Sequence, residues 1–238
     1  MINIILLILS SINPILPSTM VIDNFEKQVT KTYDTPTAPL NWSKGNSEDG
    51  KIDYYLVEEK GNTFLRGEYL PKTEGKVIHI KNRSKLSDFR YLSWKWRARR
   101  FPELKTLDGV EEPDNVATVY VLFKKGWSNY LIKYTWSQLD GKVSATGEPF
   151  YFKSKGSRAF WSIYIKPIRC TNPKISYCSD PPNKWITEKV DLIKDFKLLF
   201  KKDWLPEYIE GIGILVDGDQ TNTAGVSADF DDFILSSE

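Results

Sequence analysis

The sequence predicts an all-β protein: an antiparallel, jelly-roll-like β-sandwich with one short helix in its C-terminal half. Three observations carry that prediction. Segments that alternate apolar and polar residues, rich in β-branched and aromatic side chains, recur with Gly, Asn, Asp and Lys clusters between them. Hydrophobic residues make up 41% of the 238 and aromatics 13%, which supports a sizeable core and excludes a disordered chain. Only one segment has helical spacing.

Strands are expected, in order, at "YYLVEE", "TFLRGEYL", "KVIHIK", "RYLSWKWRAR", "ATVYVLFK", "YLIKYTWSQ", "AFWSIYIKPI", "EGIGILVDGD" and "SADFDDFILS". The clusters "EKGN" and "KKGWSN" read as hairpin turns. In "DLIKDFKLLFKKDW", Leu192, Ile193, Phe196, Leu199 and Phe200 follow helical spacing. Asp191 can cap its start, and Lys201 and Lys202 complement its negative end. This helix is expected to plug one end of the sandwich. No repeat, low-complexity tract or linker divides the chain, so residues 21–238 read as a single domain.

The opening "MINIILLILSSINPILPSTM" has an apolar run from Ile4 to Leu9, far short of the roughly 18 residues a membrane span needs. Residues 1–20 therefore read as a signal peptide, although they lack a basic n-region and an A-x-A site. The alternative is an N-terminal strand or hydrophobic tail. No integral membrane span is expected, and the protein reads as exported, periplasmic or secreted. Cys170 and Cys178, in the polar stretch "CTNPKISYC", would close a surface loop by a local disulfide in an oxidising compartment. Zinc is disfavoured, because His79 is the sole histidine. The net charge of +2, from 33 basic and 31 acidic residues, points to no nucleic-acid partner.

Strand alternation nominates a binding surface. In "YLSWKWRARR", Leu92, Trp94, Trp96 and Ala98 fall on one side, and Ser93, Lys95, Arg97 and Arg99 on the other. The tryptophans are expected in the core. Beside them, "ATVYVLF" sets Thr118 and Tyr120 opposite its apolar residues, and "YLIKYTWSQ" does the same with Lys133, Thr135 and Ser137. If these strands are neighbours, Lys95, Arg97, Thr118, Tyr120 and Lys133 share one polar face that can hydrogen-bond an anionic or polyhydroxylated ligand. The alternative is an ordinary solvated face.

Acidic residues raise two further questions. Asp217, Asp219 and Thr221 in "DGDQTNT" partly match a calcium loop and are candidate ligands of a structural calcium, though the rest of an EF-hand pattern is missing. Asp229, Asp231 and Asp232 follow in "ADFDDF", and such clustering needs a cation or protonation to offset the repulsion. The alternative is a solvated turn in which Asp217 and Asn222 cap their own backbone. No complete catalytic motif is present. A glycosidase pair needs two carboxyls roughly 5 to 9 Å apart, and Asp114, Asp217 and Asp231 are the acids to test first. A lyase could draw on Tyr120 with Arg97 and Lys133. A Ser-His-Asp site would have to use His79, which sits in a plain strand pattern without G-x-S-x-G.

Several stretches, taken in order, resemble the uncharacterised bacterial family called domain of unknown function 3047. They are "LSWKWRA", "PDNVATVYVLF", "YTWS", "VDLIKDFKLLF" and "GIGILVDGDQTNTAGVSADFDDFIL". The resemblance spans Asn41 to Leu235. It implies an exported single-domain β-sandwich, similar to galactose-binding-like and carbohydrate-binding modules, with no assigned catalytic activity. The family usually has paired Asp before its central strand, where this chain has Asp114-Asn115, and tends to have Arg at the position of Thr118.

The resulting expectation is an exported, non-catalytic module. It would bind a saccharide or another polar envelope ligand through Lys95, Arg97, Asp114, Thr118, Tyr120 and Lys133. A carbohydrate-active hydrolase or lyase on the same face is one alternative. A structural or partner-binding envelope protein, with Trp127 and Trp185 as loop contacts, is the other.

Overall fold

The computed structural model describes residues 18–26, 41–44, 52–69, 77–101, 115–137, 152–153, 161–170, 183–216 and 225–238. Two sheets face each other across one hydrophobic core. The first contains β1 (Thr19–Asp23), β3 (Ile52–Glu59), β4 (Asn62–Tyr69), β6 (Tyr91–Arg100), β11 (Ile186–Asp191) and β13 (Val226–Ser236). Its order is β11-β6-β13-β4-β3, with β1 also paired to β13. The second contains β2 (Ser43–Lys44), β5 (Ile78–Lys85), β7 (Asn115–Lys125), β8 (Ser128–Ser137), β9 (Phe152–Lys153), β10 (Trp161–Cys170) and β12 (Tyr208–Leu215). Its order is β2-β5-β12-β7-β8-β10-β9. The expected all-β sandwich is what forms, with one departure from an antiparallel scheme: β10 runs parallel to β8.

The β6 pattern sets the layer. Leu92, Trp94, Trp96 and Ala98 are all fully buried and point at the second sheet. The Trp94 ring lies 5.7 Å from Tyr134 and the Trp96 ring 5.4 Å from Trp136, both residues of β8. Each such pair adds about 1 kcal/mol beyond its buried area. These tryptophans are core anchors, as the alternation predicts.

The helix α1 (Leu192–Phe200) begins where the sequence places it. The Lys194 amide donates to the Asp191 carboxylate at 2.9 Å, and Lys201 ends the helix in the left-handed region at φ 50°. Its apolar stripe covers the end of the sandwich where β7 turns into β8, with Phe196 5.4 Å from Phe123 and 5.5 Å from Tyr130. Asp195 is buried on the same face and accepts from the Tyr134 hydroxyl at 3.0 Å and from Lys166.

Every strand expected from alternation is present, and β1, β2, β9 and β11 add to them. In β11, "ITEKVD" turns a glutamate inward, which breaks the apolar alternation that would have revealed it. Glu188 is tolerated there because the Trp96 indole N–H donates to it at 3.1 Å and Arg169 Nε at 2.6 Å. Thr19 and Met20, the last described residues of the expected leader, pair with Ser236 and Leu235 of β13. Cys178 lies outside the described residues, as does the side chain of Cys170, so the expected disulfide does too.

Gly67 of β4 shows how tightly the layers close. A Cβ there would sit 2.6 Å from Val216 Cγ2 and 2.7 Å from Tyr54 Cε1. The space is needed because Tyr54 crosses Gly67 and its hydroxyl accepts from the Val216 amide at 3.0 Å. Gly67→Ala is expected to cost about 2 kcal/mol of stability by overpacking, read as a lower urea midpoint with an unchanged slope.

A cleft on the outer face of the first sheet

Behind the tryptophans, β6 presents Lys95 and Arg97 to the outside of the first sheet. They do not meet Thr118, Tyr120 and Lys133. Those residues lie on β7 and β8, on the outer face of the second sheet, with the whole core between the two groups. The expected shared face therefore splits in two. The strands are close in sequence, but β6 pairs with β13 and β11, whereas β7 pairs with β8 and β12. On the second face Thr118 and Tyr120 are nearly buried, and the Lys133 ammonium lies 5.5 Å from the Tyr120 ring centroid. His79 sits two strands from Tyr120, across β12, and its burial pushes the imidazole below its usual pKa. Asp114, Asp217, Asp219 and Thr221 lie outside the described residues, so the candidate calcium loop does as well.

The face of Lys95 and Arg97 is built around a buried carboxylate. Asp229 of β13 is fully buried. Arg66 of β4 donates to it through Nε at 2.6 Å and Nη2 at 3.1 Å. Arg97 donates through Nε at 2.9 Å and Nη2 at 2.6 Å. An ionised carboxylate away from water is costly unless paired and hydrogen-bonded, and here two guanidinium groups do both. Arg97 Nη2 also reaches Glu59 at 2.9 Å. Its guanidinium carbon lies 4.6 Å from the Trp185 ring centroid and 5.1 Å from that of Phe64. Arg97 is thus a scaffold cation, held in place by two acids and two rings. Among the described residues its bonds run through Nε and Nη2, and none is made by Nη1.

Next to this scaffold opens a cleft of about 400 Å³. The β3–β4 hairpin, predicted from "EKGN", makes one wall. Lys60 and Gly61 take φ 56° and 79°, the left-handed pair that a two-residue hairpin turn needs. This tip brings Glu59, Lys60, Asn62 and Phe64 to the cleft, while Trp185 and Thr187 close it from the β11 side. Lys95, Arg97 and Asp231 complete the lining. The Trp185 and Phe64 rings meet edge to face at 5.2 Å, so the lining has an aromatic patch among polar groups.

The acidic run "ADFDDF" turns out to be compensated within the protein. Asp229 has the two arginines, and Asp232 pairs with Lys95 at 2.7 Å. Asp231 accepts from Asn62 Nδ2 at 3.0 Å and from the Asp232 amide at 2.8 Å, with no cation bonded to it among the described residues. A bulge separates these neighbours: pairing with β6 slips between Asp231 and Ile234, and Asp232 stands at φ 49°. Among the described residues no group of His, Cys, Asp and Glu is arranged to hold a metal ion. The two cleft carboxyls are driven in opposite directions. The hydrogen bond from Arg97 holds Glu59 below the usual carboxylate range. Burial, with Asp232 adding repulsion, pushes Asp231 up to about 6.

Of the residues nominated from the sequence, Lys95 and Arg97 of the expected polar face line this cleft, together with Asp231, nominated as a candidate acid, and Trp185, nominated as a loop contact. Sequence reasoning missed Glu59, Lys60, Asn62, Phe64 and Thr187 as partners of that face, although the hairpin turn that carries the first three was legible.

No protein-family model and no curated protein matches the chain. Solved structures that resemble it include the family 11 carbohydrate-binding module of a cellulosomal cellulase of Clostridium thermocellum (12% identity, 92% of this chain and 94% of that one, TM-score 0.42). The family 30 module of another cellulosomal cellulase of Clostridium thermocellum is similar at 13% identity over 83% of this chain and 90% of that one, with a TM-score of 0.41. The xyloglucanase domain of a type three effector from Sinorhizobium fredii, in complex with cellobiose, is similar at 8% identity over 84% and 100%, with a TM-score of 0.44. Similarity at this level assigns no ligand, activity or residue to the chain.

Asp231 makes a pH prediction. Its folded-state pKa lies above the unfolded value of about 4, so the native state binds the proton more tightly and its stability falls as pH rises from about 4 to 6. Asp231→Asn removes that dependence. The stability of the variant relative to the native protein is expected to improve by about 2 kcal/mol between about pH 4 and pH 8, measured by urea unfolding at each pH. An unchanged difference would show that Asp231 ionises normally.

Proposed function

We propose that the protein is a saccharide-binding β-sandwich and that its ligand lies in the cleft beside Lys95 and Arg97. The observation that carries this reading is the composition of that cleft. A sugar ring offers a rim of hydroxyl groups and patches of C–H surface. The cleft sets the half-buried Trp185 ring against Phe64 for the second, and fixed polar groups for the first. Glu59 and the Asn62 side-chain oxygen can accept hydrogen bonds, and Arg97 Nη1, Lys60 and Thr187 can donate them. The volume falls within the ordinary range of small-molecule sites, about 300 to 1,000 Å³. Because Asp229, Arg66, Trp185 and Phe64 hold Arg97 in advance, little ordering is left for binding to supply. Export is part of this proposal, motivated by the apolar opening segment, and so is kinship with the domain-of-unknown-function 3047 family.

Trp185→Ala is expected to weaken binding to the best ligand on a glycan array at least about tenfold, and Thr187→Ala to weaken it about threefold. A Trp185→Ala protein that folds and binds as the native one does would remove the cleft from consideration. Loss of binding in Lys133→Ala instead would move the site to the opposite face. Asp231 and Glu59 both line the cleft and are shifted in opposite directions, as an acid and base pair of a glycosidase would be. Oligosaccharide products that disappear with Asp231→Asn would make the protein an enzyme rather than a binding module.

A further inference from the structure

We infer that the β7–β8 hairpin tip and the end of α1 form a docking surface for an anionic lipid bilayer. Trp127 occupies the tip, in a two-residue turn opened by Gly126 at φ 56°, and it is 89% exposed. No other large hydrophobic residue described approaches that exposure; the next is Val21, at 55%. Lys124 and Lys125 precede the turn, and both are exposed. The hairpin is fixed against the helix, since Tyr130 packs on Phe196 and Phe200, and the Lys125 ammonium lies 5.3 Å from the Trp204 ring centroid. The same end of the molecule therefore also carries exposed Lys201 and Lys202, with Leu198 on the helix 47% exposed.

None of these four lysines forms an ion pair among the described residues, and the exposed acids closest in sequence are Asp203 and Glu207. Apolar surface left in water is unfavourable in proportion to its area. A convex tip with a bare indole offers nothing for a ligand to enter, so the indole itself must be the inserting group. Tryptophan favours the headgroup level of a bilayer, where its ring meets the acyl boundary and its N–H meets water. Lysines ranged behind it are attracted to anionic headgroups over about a Debye length. A protein partner would have to supply both an indole pocket and a spread of negative charge, whereas an anionic bilayer presents the two together. No described helix is long and apolar enough to cross a membrane.

The test is co-sedimentation with vesicles of equal parts phosphatidylcholine and phosphatidylglycerol, and with vesicles of phosphatidylcholine alone. The protein is expected to pellet with the mixed vesicles, to stay in solution with the neutral ones, and to be released by added salt. Trp127→Ala should lower the affinity for mixed vesicles about tenfold, and the double variant Lys124→Gln, Lys125→Gln by a similar factor. Both changes lie at the exposed tip, so unaltered melting temperatures would separate lost docking from lost folding. The proposal is overturned if the protein pellets with neither vesicle, if it pellets equally with both, or if Trp127→Ala pellets like the native chain. It is also overturned if light scattering shows a dimer that Trp127→Ala dissociates, since a second copy would then be what covers the tip.

Discussion

The first sheet is organised by the buried carboxylate of Asp229 and its two arginines. Buried without partners, it would unfold the strand that carries it or force its own protonation. Arg66 on one neighbouring strand and Arg97 on the other satisfy it together, which ties β4, β13 and β6 into a single register. A slip of one residue in β13 would turn Asp229 into the core and Phe230 out to water. The same two arginines hold Phe64 and, through Arg97, Trp185 and Glu59. The cleft wall is thus a by-product of neutralising one charge, and its rigidity follows from the cost of disturbing it.

Other buried acids are handled by the same logic with different partners. Glu188 is met by Trp96 and Arg169, Asp195 by Tyr134 and Lys166, and Asp23 by the Trp42 indole at 2.8 Å. Glu188 of β11 takes Arg169 from β10, so that pair joins the two sheets, while Asp195 ties α1 to β8 and β10 of the second sheet. Asp231 stands apart. Its neighbour Asp232 takes Lys95, and what Asp231 receives is an amide of Asn62 and a backbone N–H. It is the acid of the cleft that is left to respond to pH and to whatever enters.

How much of this could be read from residues alone depended on whether the information was local. Alternation in β6 sorted Trp94 and Trp96 inward and Lys95 and Arg97 outward, because period two is a property of one strand. The cap at Asp191 and the hairpin at Lys60–Gly61 were legible for the same reason. Strand adjacency was not, since the partner of Lys95 is Asp232, far along the chain, and hydrophobic patterning does not say which strands share a sheet. Placing Lys95 beside Tyr120 failed on that point. The strand β11 escaped notice because Glu188 faces inward, supported by residues that come together only in the folded protein.

The packing of the tryptophans also sets how the protein meets light. The indole N–H groups of Trp94 and Trp136 are buried without an acceptor among the described residues, while Trp96 donates to Glu188. An indole whose surroundings cannot reorganise around its excited-state dipole emits at shorter wavelength than one in water, and dissolved quenchers cannot reach it. Trp127 has the opposite surroundings. One chain therefore holds dry and wet fluorophores at opposite extremes, and its emission spectrum is a built-in record of whether the space between the sheets stays closed.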